Sequence, residues 1–377
     1  MKTFAIWYEK INEQADEQAD EQADEQADEQ ADEQADEQAD EQADEQNSVE
    51  QAEIDVHLNL WKLPKQRDKN FLSLNRTSGN DELFFDFGLK LINRKDVEKI
   101  KIFFPFQLSQ SNIEDLGKKF LENTFLVTAV FNEDYPIEIG SHSKQIIVND
   151  EKKPFIIYTL DVDNNDCQFE NKYDGTIMTI VIPKELRERE KKKPLYYRFR
   201  VRSDGLSMMM NRLTYPGRFL EFVSKDTYIM DFRLNEYRLY NRTMSEKIRE
   251  AGEFKFSKLH FLLMTSSQDE VIASGENPSS RQLEENIWSK YVGDEYKEYN
   301  LSNIFAYHWK EKKTKIETIS SHNSLIKITV QRSGFKKILT YLSWLAVLSI
   351  IFNLMTNGVE WLLTDGINGL LEILRGN

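Results

Sequence analysis

The sequence predicts a mainly β protein, built from antiparallel sandwich- or barrel-like modules with few helices, plus a C-terminal transmembrane helix and an amphipathic tail helix. Three observations lead there. Apolar and polar residues alternate with a period of two in one segment after another, the signature of half-buried strands. These segments follow one another without the regular intervening helices of a doubly wound parallel sheet. Near the C-terminus, residues 338–359 run for 22 positions without a charged side chain.

The first strand is Phe4-Ala5-Ile6-Trp7-Tyr8, and Ile54-Asp55-Val56-His57-Leu58-Asn59-Leu60 alternates strictly as the second. Between them, from Ala15 to Gln46, the tetrapeptide Ala-Asp-Glu-Gln recurs eight times. A period of four drifts about 40° per repeat around a helix axis, so no apolar stripe forms. Each Asp also faces another Asp at i+4, which is mildly repulsive. Residues 15–46 therefore read as a solvated tract, disordered or marginally helical, in a loop between neighbouring strands. Doubling such a loop costs only about 0.6 kcal/mol, which favours tolerated filler over a specific acidic binding tail.

Further on, Phe85, Phe87, Leu89 and Leu91 point one way while Asp86, Gly88 and Lys90 point the other. The same alternation predicts strands at 99–104, 125–131, 145–149, 155–162, 176–182, 195–202, 228–234, 254–264, 304–309 and 325–330. Hairpin turns are expected at Asp174-Gly175, within 161–166 and at Ser320-Ser321-His322-Asn323. Helical spacing is confined to 113–123, 185–192 and 280–291, the last with Leu283, Ile287 and Tyr291 on one face. The charged, Pro-ended stretch 184–194 divides the body. On this reading 1–14 with 47–183 form a first β-rich module and 195–334 a second.

The formal charge is −15, from 64 acidic and 49 basic residues. The repeat holds 16 of those acids, so the remaining 345 residues balance at +1. A neutral body argues against general nucleic-acid binding. The single cysteine, Cys167, forbids an internal disulfide and suits a reducing compartment. Only five consecutive apolar residues precede Glu9, short of the roughly seven to fifteen of a secretory signal.

The uncharged run spans about 33 Å at 1.5 Å per residue, against about 30 Å of bilayer hydrocarbon. Tyr341 and Trp344 lie near one end, as interfacial aromatics do. The transmembrane helix is placed at 335–357; a buried core helix is the alternative. Arg332, Lys336 and Lys337 precede the run, whereas Glu360, Asp365 and Glu372 follow it before Arg375. The positive-inside rule then leaves the body in the cytosol, tail-anchored by a single pass in the inner (cytoplasmic) membrane. In 358–377, Val359, Leu362, Leu363, Ile367, Leu370, Leu371 and Leu374 share a face opposite Glu360, Thr364, Asn368 and Glu372. Asn357 with Glu360 resembles a capping box that starts a new interfacial helix, with a second crossing as the alternative. Ser343, Ala346, Ser349 and Asn353 make a small, polar stripe suited to homo-oligomerisation in the membrane.

Chemistry is sparse. The histidines His57, His142, His260, His308 and His322 stand singly, none at metal-ligand spacing. Asp161-x-Asp163-x-Asn165 opens like a calcium loop, but Asp166 and Lys172 occupy the positions of the needed Gly and Glu. No phosphate loop, dinucleotide fingerprint or nucleophile elbow occurs. The candidate ligand site is one strand face carrying Tyr196, Arg198, Arg200 and Arg202, three guanidiniums on alternate residues that suit phosphate or nucleotide. Loops at Ser203-Asp204-Gly205 and Tyr215-Pro216-Gly217-Arg218 follow it. The competing reading pairs these arginines across strands with Asp231 or Glu221.

No catalytic residue, metal or cofactor is assigned. The expected partners are the lipid bilayer, a second copy of the chain through the membrane helix, and a cytosolic ligand or protein. A recognition body joined to a short membrane segment with an amphipathic end looks like the layout of membrane-acting effectors in bacterial antiphage defence. A membrane scaffold or adaptor, or a membrane-attached nucleotide-binding enzyme, are the alternatives.

Overall fold

A computed structural model describes residues 3–11, 51–64, 81–94, 96–140, 144–151, 153–164, 166–189, 193–213, 225–275, 277–293, 297, 299, 301–312, 319–331 and 335–376. The repeat, Tyr215-Pro216-Gly217-Arg218, Glu221, His142 and Arg332 lie outside these residues.

Along the chain come β1 (Ala5–Lys10), β2 (Glu53–Leu63), β3 (Glu82–Asn93), β4 (Val97–Phe104) and β5 (Ile113–Asp115). Two short helices follow, α1 (Gly117–Glu122) and α2 (Phe125–Phe131). Then come β6 (Ile137–Ile139), β7 (Gln145–Val148), β8 (Phe155–Tyr158), β9 (Cys167–Lys172), β10 (Gly175–Val181) and α3 (Lys184–Arg189). The next stretch holds β11 (Leu195–Val201), β12 (Met210–Leu213), β13 (Lys225–Leu234), α4 (Arg242–Ala251), β14 (Lys255–Ser266) and β15 (Glu270–Ala273). The last part holds β16 (Ser279–Gln282), α5 (Glu285–Val292), β17 (Ile304–Lys312), β18 (His322–Gln331), α6 (Phe335–Trp361) and α7 (Ile367–Arg375).

The chain is mostly β, in three sheets. A ten-stranded sheet runs β16-β17-β14-β2-β3-β11-β8-β7-β6, with β5 also paired to β11. Two four-stranded sheets run β1-β4-β10-β9 and β12-β13-β18-β15. The period-two pattern sends one side of each central strand into a core shared by all three sheets. Val56 and Leu58, Phe85 and Phe87, Tyr197 and Phe199, and Leu259 and Phe261 meet Ile102 and Met178 from the first small sheet there, and Phe232 and Ile328 from the second. Phe4 joins them: its ring lies 5.3 Å from Phe232, 5.9 Å from Phe85 and 5.9 Å from Phe104.

The opposite face of the large sheet is half covered. Trp61, Phe84 and Met264 pack there beneath α1, α2 and α5, against Phe120, Val127, Trp288 and Tyr291. Beneath α5 lies a fully buried ion pair. Asp86 accepts from Arg200 Nε at 2.7 Å and from Arg200 Nη2 at 3.2 Å. It also accepts from Trp61 Nε1 at 2.9 Å and Tyr291 Oη at 2.8 Å. Arg200 Nη1 in turn donates to the Val292 carbonyl at 3.1 Å, and the guanidinium lies 4.1 Å from the Phe84 ring centroid. One carboxylate thus ties together β2, β3, β11 and α5.

Several expectations are corrected. Residues 125–131 form a helix, not a strand; a short apolar run fits either by periodicity, and only Leu126 and Val127 of α2 are buried. The helical spacing over 113–123 and 280–291 begins in each case as a strand, β5 and β16, before the helix starts. The large sheet is mixed rather than antiparallel, because β2 pairs β14 and β8 pairs β11 in parallel. The turns at 161–166 and 320–323 close no hairpins: β8 and β9, and likewise β17 and β18, belong to different sheets. So do β1 and β2, the strands that flank the repeat. Strands from both sides of 184–194 interleave in the large sheet.

The C-terminal end also departs from expectation. Asn357 caps no helix, since α6 continues through it to Trp361 and its Nδ2 donates to Asn353 Oδ1 at 3.3 Å. No proline interrupts the run, and a lone glycine such as Gly358 costs a helix only about 1 kcal/mol. A π-helical turn, Leu362–Gly366, then connects α6 to α7.

Among the described residues Asp86 is the one carboxylate hydrogen-bonded to the buried Arg200, with Glu114 at 3.7 Å from Nη1, so its removal leaves the cation poorly compensated in the interior. The substitution Asp86→Ala is expected to cost about 3–5 kcal/mol, read by denaturant unfolding of the full chain in detergent.

Candidate ligand-binding cleft

Where the helices stop covering it, the face of the ten-stranded sheet opens into a cleft of about 1100 Å³. Its floor follows from strand alternation. The residues of β2 and β3 that turn away from the shared core are Asp55, His57 and Asn59, and Lys90. On β14 they are Lys258 and His260, on β17 His308, Lys310 and Lys312, and on β11 Arg198. Strand register puts His260, His57, Gly88 and Arg198 on one row across four strands. Gly88 is required in that row: a Cβ there would collide with Tyr196 Oη and meet Arg198 Nη1 at 3.0 Å. Its missing side chain lets both groups lie over the β3 backbone.

Three histidines far apart in sequence converge. His260 Nδ1 and His308 Nε2 are 2.9 Å apart, one donating and the other accepting. The His57 ring is 4.8 Å from that of His260, and its Nδ1 is 3.5 Å from Tyr196 Oη. Burial holds the His57 imidazole well below its ordinary pKa, and nearby His260, Arg198 and Lys90 push the same way. Burial, then His308 and Lys310, lower His260 to about 3. His308 is lowered by burial and by Lys310. All three rings are therefore neutral at pH 7. Lys90 and Lys310 are also lowered, first by burial, with Lys258 adding repulsion to both. The one floor carboxylate, Asp55, is raised by burial against the pull of Lys258 and Lys90. Four more carboxylates, Glu133, Asp134, Asp150 and Glu151, line the cleft from the loops that follow α2 and β7.

The chain matches no protein-family model and no curated protein sequence.

The arginine strand is split by its surroundings. Tyr196 is fully buried and accepts from Arg198 Nη1 at 2.8 Å. Arg198, 1% exposed, lines the cleft and donates through Nε to Tyr291 Oη at 2.6 Å. Its Nη2 reaches the Asn59 carbonyl oxygen at 2.6 Å once that amide is oriented to suit the network. Arg200 is committed to Asp86, away from the cleft, and Arg202 Nη2 pairs with Glu114 at 2.7 Å. The cross-strand partners are thus Asp86 and Glu114; Asp231 instead pairs with Arg233 at 2.8 Å. Ser203 Oγ accepts from Gly205 N at 3.1 Å in a local turn. In α6, Ser343 Oγ donates to the Leu339 carbonyl at 2.9 Å, while Asn353 is engaged by Asn357.

The histidines and lysines of the floor were not identified from the sequence. Their signal was polar residues at the phase of apolar strands that faces away from the shared core, as in Asp55-Val56-His57 and Lys258-Leu259-His260. Bringing them together needs the parallel pairing of β2 with β14, across about two hundred residues of chain that no local pattern encodes. Among the described residues no cluster of His, Cys, Asp or Glu is arranged to hold a metal. What the arrangement offers is several cations beside neutral imidazole donors, which suits binding of an anion.

The buried imidazoles give stability a sign with pH. The unfolded chain takes up protons near pH 6.5 that the folded His57 and His260 refuse. Stability therefore falls as pH drops below about 6.5, with a slope that approaches about 1.4 kcal/mol per unit for each such ring near pH 5. Replacing His260 by Gln removes its share, and the pH slope of the unfolding free energy should become shallower by that amount. An unchanged slope contradicts a neutral His260.

Proposed function

We propose that the protein is a membrane-anchored recognition module, in which a β-rich body presents a ligand-binding cleft close to a bilayer. The observation that carries this reading is the helix over Tyr341–Arg375. It is 35 residues long, apolar enough to cross a membrane, and its apolar window is 0% buried by the rest of the chain. Leu354 is 66% exposed, Phe352 60% and Trp361 62%. Leaving such surface in water costs about 25 cal/mol per Å², and lipid removes that cost.

At about 52 Å the helix is longer than the hydrocarbon layer of about 30 Å. The uncharged 338–359 stretch supplies the crossing, and Glu360, Asp365 and Glu372 belong outside it. The π-helical turn Leu362–Gly366 supplies a place to bend α7 along the interface. The positive charges before the crossing support a tail-anchored, single-pass topology at the cytoplasmic membrane, with the body in the cytosol. Pairing of α6 helices through the Ser343 and Asn353 face is the proposed route to a homo-oligomer. A ligand in the cleft that altered this packing would make the protein a membrane-acting effector, of the layout found in antiphage defence. A cleft that only held a partner at the membrane would make it an adaptor.

After cell lysis, the full chain is expected in the membrane pellet and to stay there through an alkaline carbonate wash. Recovery as a water-soluble monomer without detergent contradicts the anchor. In detergent, Asn353→Leu is expected to shift the chain towards monomer, read by light scattering.

A further inference from the structure

The cleft floor holds more positive charge than its own carboxylates neutralise. Arg198, Lys90, Lys258 and Lys310 come from four strands; Asp55 opposes them on the floor, and Asp150 and Glu133 reach Lys90 from the rim. Asp55 Oδ2 is 3.7 Å from Lys258 Nζ, and its Oδ1 meets no donor. Arg198 is the decisive residue. A guanidinium at 1% exposure is costly to bury without a counter-charge. Arg200, two positions along the same strand, has Asp86. Among the described residues the hydrogen-bond partners of Arg198 are all neutral, two tyrosine hydroxyls and a carboxamide; Asp86, whose charge reaches it from beyond Tyr291, is already paired with Arg200.

We propose that the missing counter-charge is the ligand, and that the cleft binds a compact phosphorylated molecule. Its phosphate oxygens accept from Lys258, Lys310 and the imidazole N–H groups, above the buried charge of Arg198. A phosphate carrying close to two negative charges, with three acceptor oxygens, matches several converging donors. A single carboxylate would leave most of them unanswered. A polynucleotide is disfavoured because Glu133, Asp134, Asp150 and Glu151 would repel a phosphate chain running past them. The cleft volume of about 1100 Å³ suits a small molecule instead. The same phosphate chemistry is offered by a soluble metabolite and by a phosphomonoester lipid headgroup.

The inference rests on the cleft being the recognition site of the body and does not need the membrane anchor. The test is a calorimetric titration of the full chain, in phosphatidylcholine nanodiscs at about 0.1 M salt, with inorganic pyrophosphate. Saturable binding tighter than about 1 mM is expected, weakened at least about tenfold in Lys258→Met/Lys310→Met. Both lysines are exposed, so the double variant should fold; Lys310→Met alone, expected to weaken binding in the same direction, is the second variant. Discs containing phosphatidic acid distinguish the sources. A headgroup ligand lowers the apparent pyrophosphate affinity, and a soluble ligand leaves it unchanged. No saturable binding, or equal binding by wild type and variants, overturns the proposal. That result would leave membrane partition untouched, whereas a failed carbonate wash would leave a positive titration standing.

Discussion

The buried pair between Asp86 and Arg200 is the constraint on which the functional face depends. Desolvating both charges is expensive, and the cost is offset because Asp86 accepts four hydrogen bonds, two of them from Arg200. Those bonds fix β3 against β11, hold the Trp61 indole of β2, and dock α5 through Tyr291. The same tyrosine hydroxyl that donates to Asp86 accepts from Arg198. The neutralised arginine and the unneutralised one are therefore held by a single hydrogen-bonded system. The position of Arg198 beneath the cleft follows from the pair beside it.

The division of labour across the ten-stranded sheet has the same root. One face is largely apolar, because Phe85, Phe87, Tyr197, Phe199 and their neighbours meet two further sheets. The other face can carry charge only where helices either satisfy it or leave it open to solvent. Under α5 the charge is matched. Beyond the helices it accumulates, and burial first, then this charge, lowers the lysines and keeps the histidines neutral. A ligand of opposite sign, as proposed for the cleft, would relieve this repulsion.

Much of the strand content was legible in the sequence, because alternation is a local signal that tertiary packing reinforces. Asp86, Gly88 and Lys90 sit on the side that alternation assigned them, and so do Tyr196, Arg198 and Arg200. Short apolar runs were not legible: Phe125–Phe131 suits either element until its neighbours are known. Sheet membership was also hidden, since links such as 161–166 look like hairpin turns but carry the chain between sheets. The arginine strand was recognised, yet its three guanidiniums have three different fates: Arg200 pairs with Asp86, Arg202 with Glu114, and Arg198 with neutral groups among the described residues. The His57, His260 and His308 group was invisible for a topological reason, the parallel contact of β2 with β14. At the C-terminus, composition marked the apolar helix, but the Asn357 capping signal gave way to continued helix because its neighbours favour propagation.

The central claim is that Arg200 is structural and Arg198 is held for a ligand. Unfolding free energies of Arg198→Met and Arg200→Met, measured side by side on the full chain without added anion, test it most directly. Arg200→Met leaves Asp86 buried and uncompensated, and should lose about 3–5 kcal/mol. Arg198→Met removes a cation with no paired carboxylate of its own among the described residues, and should leave stability unchanged or raise it. Equal losses in the two variants would contradict the account.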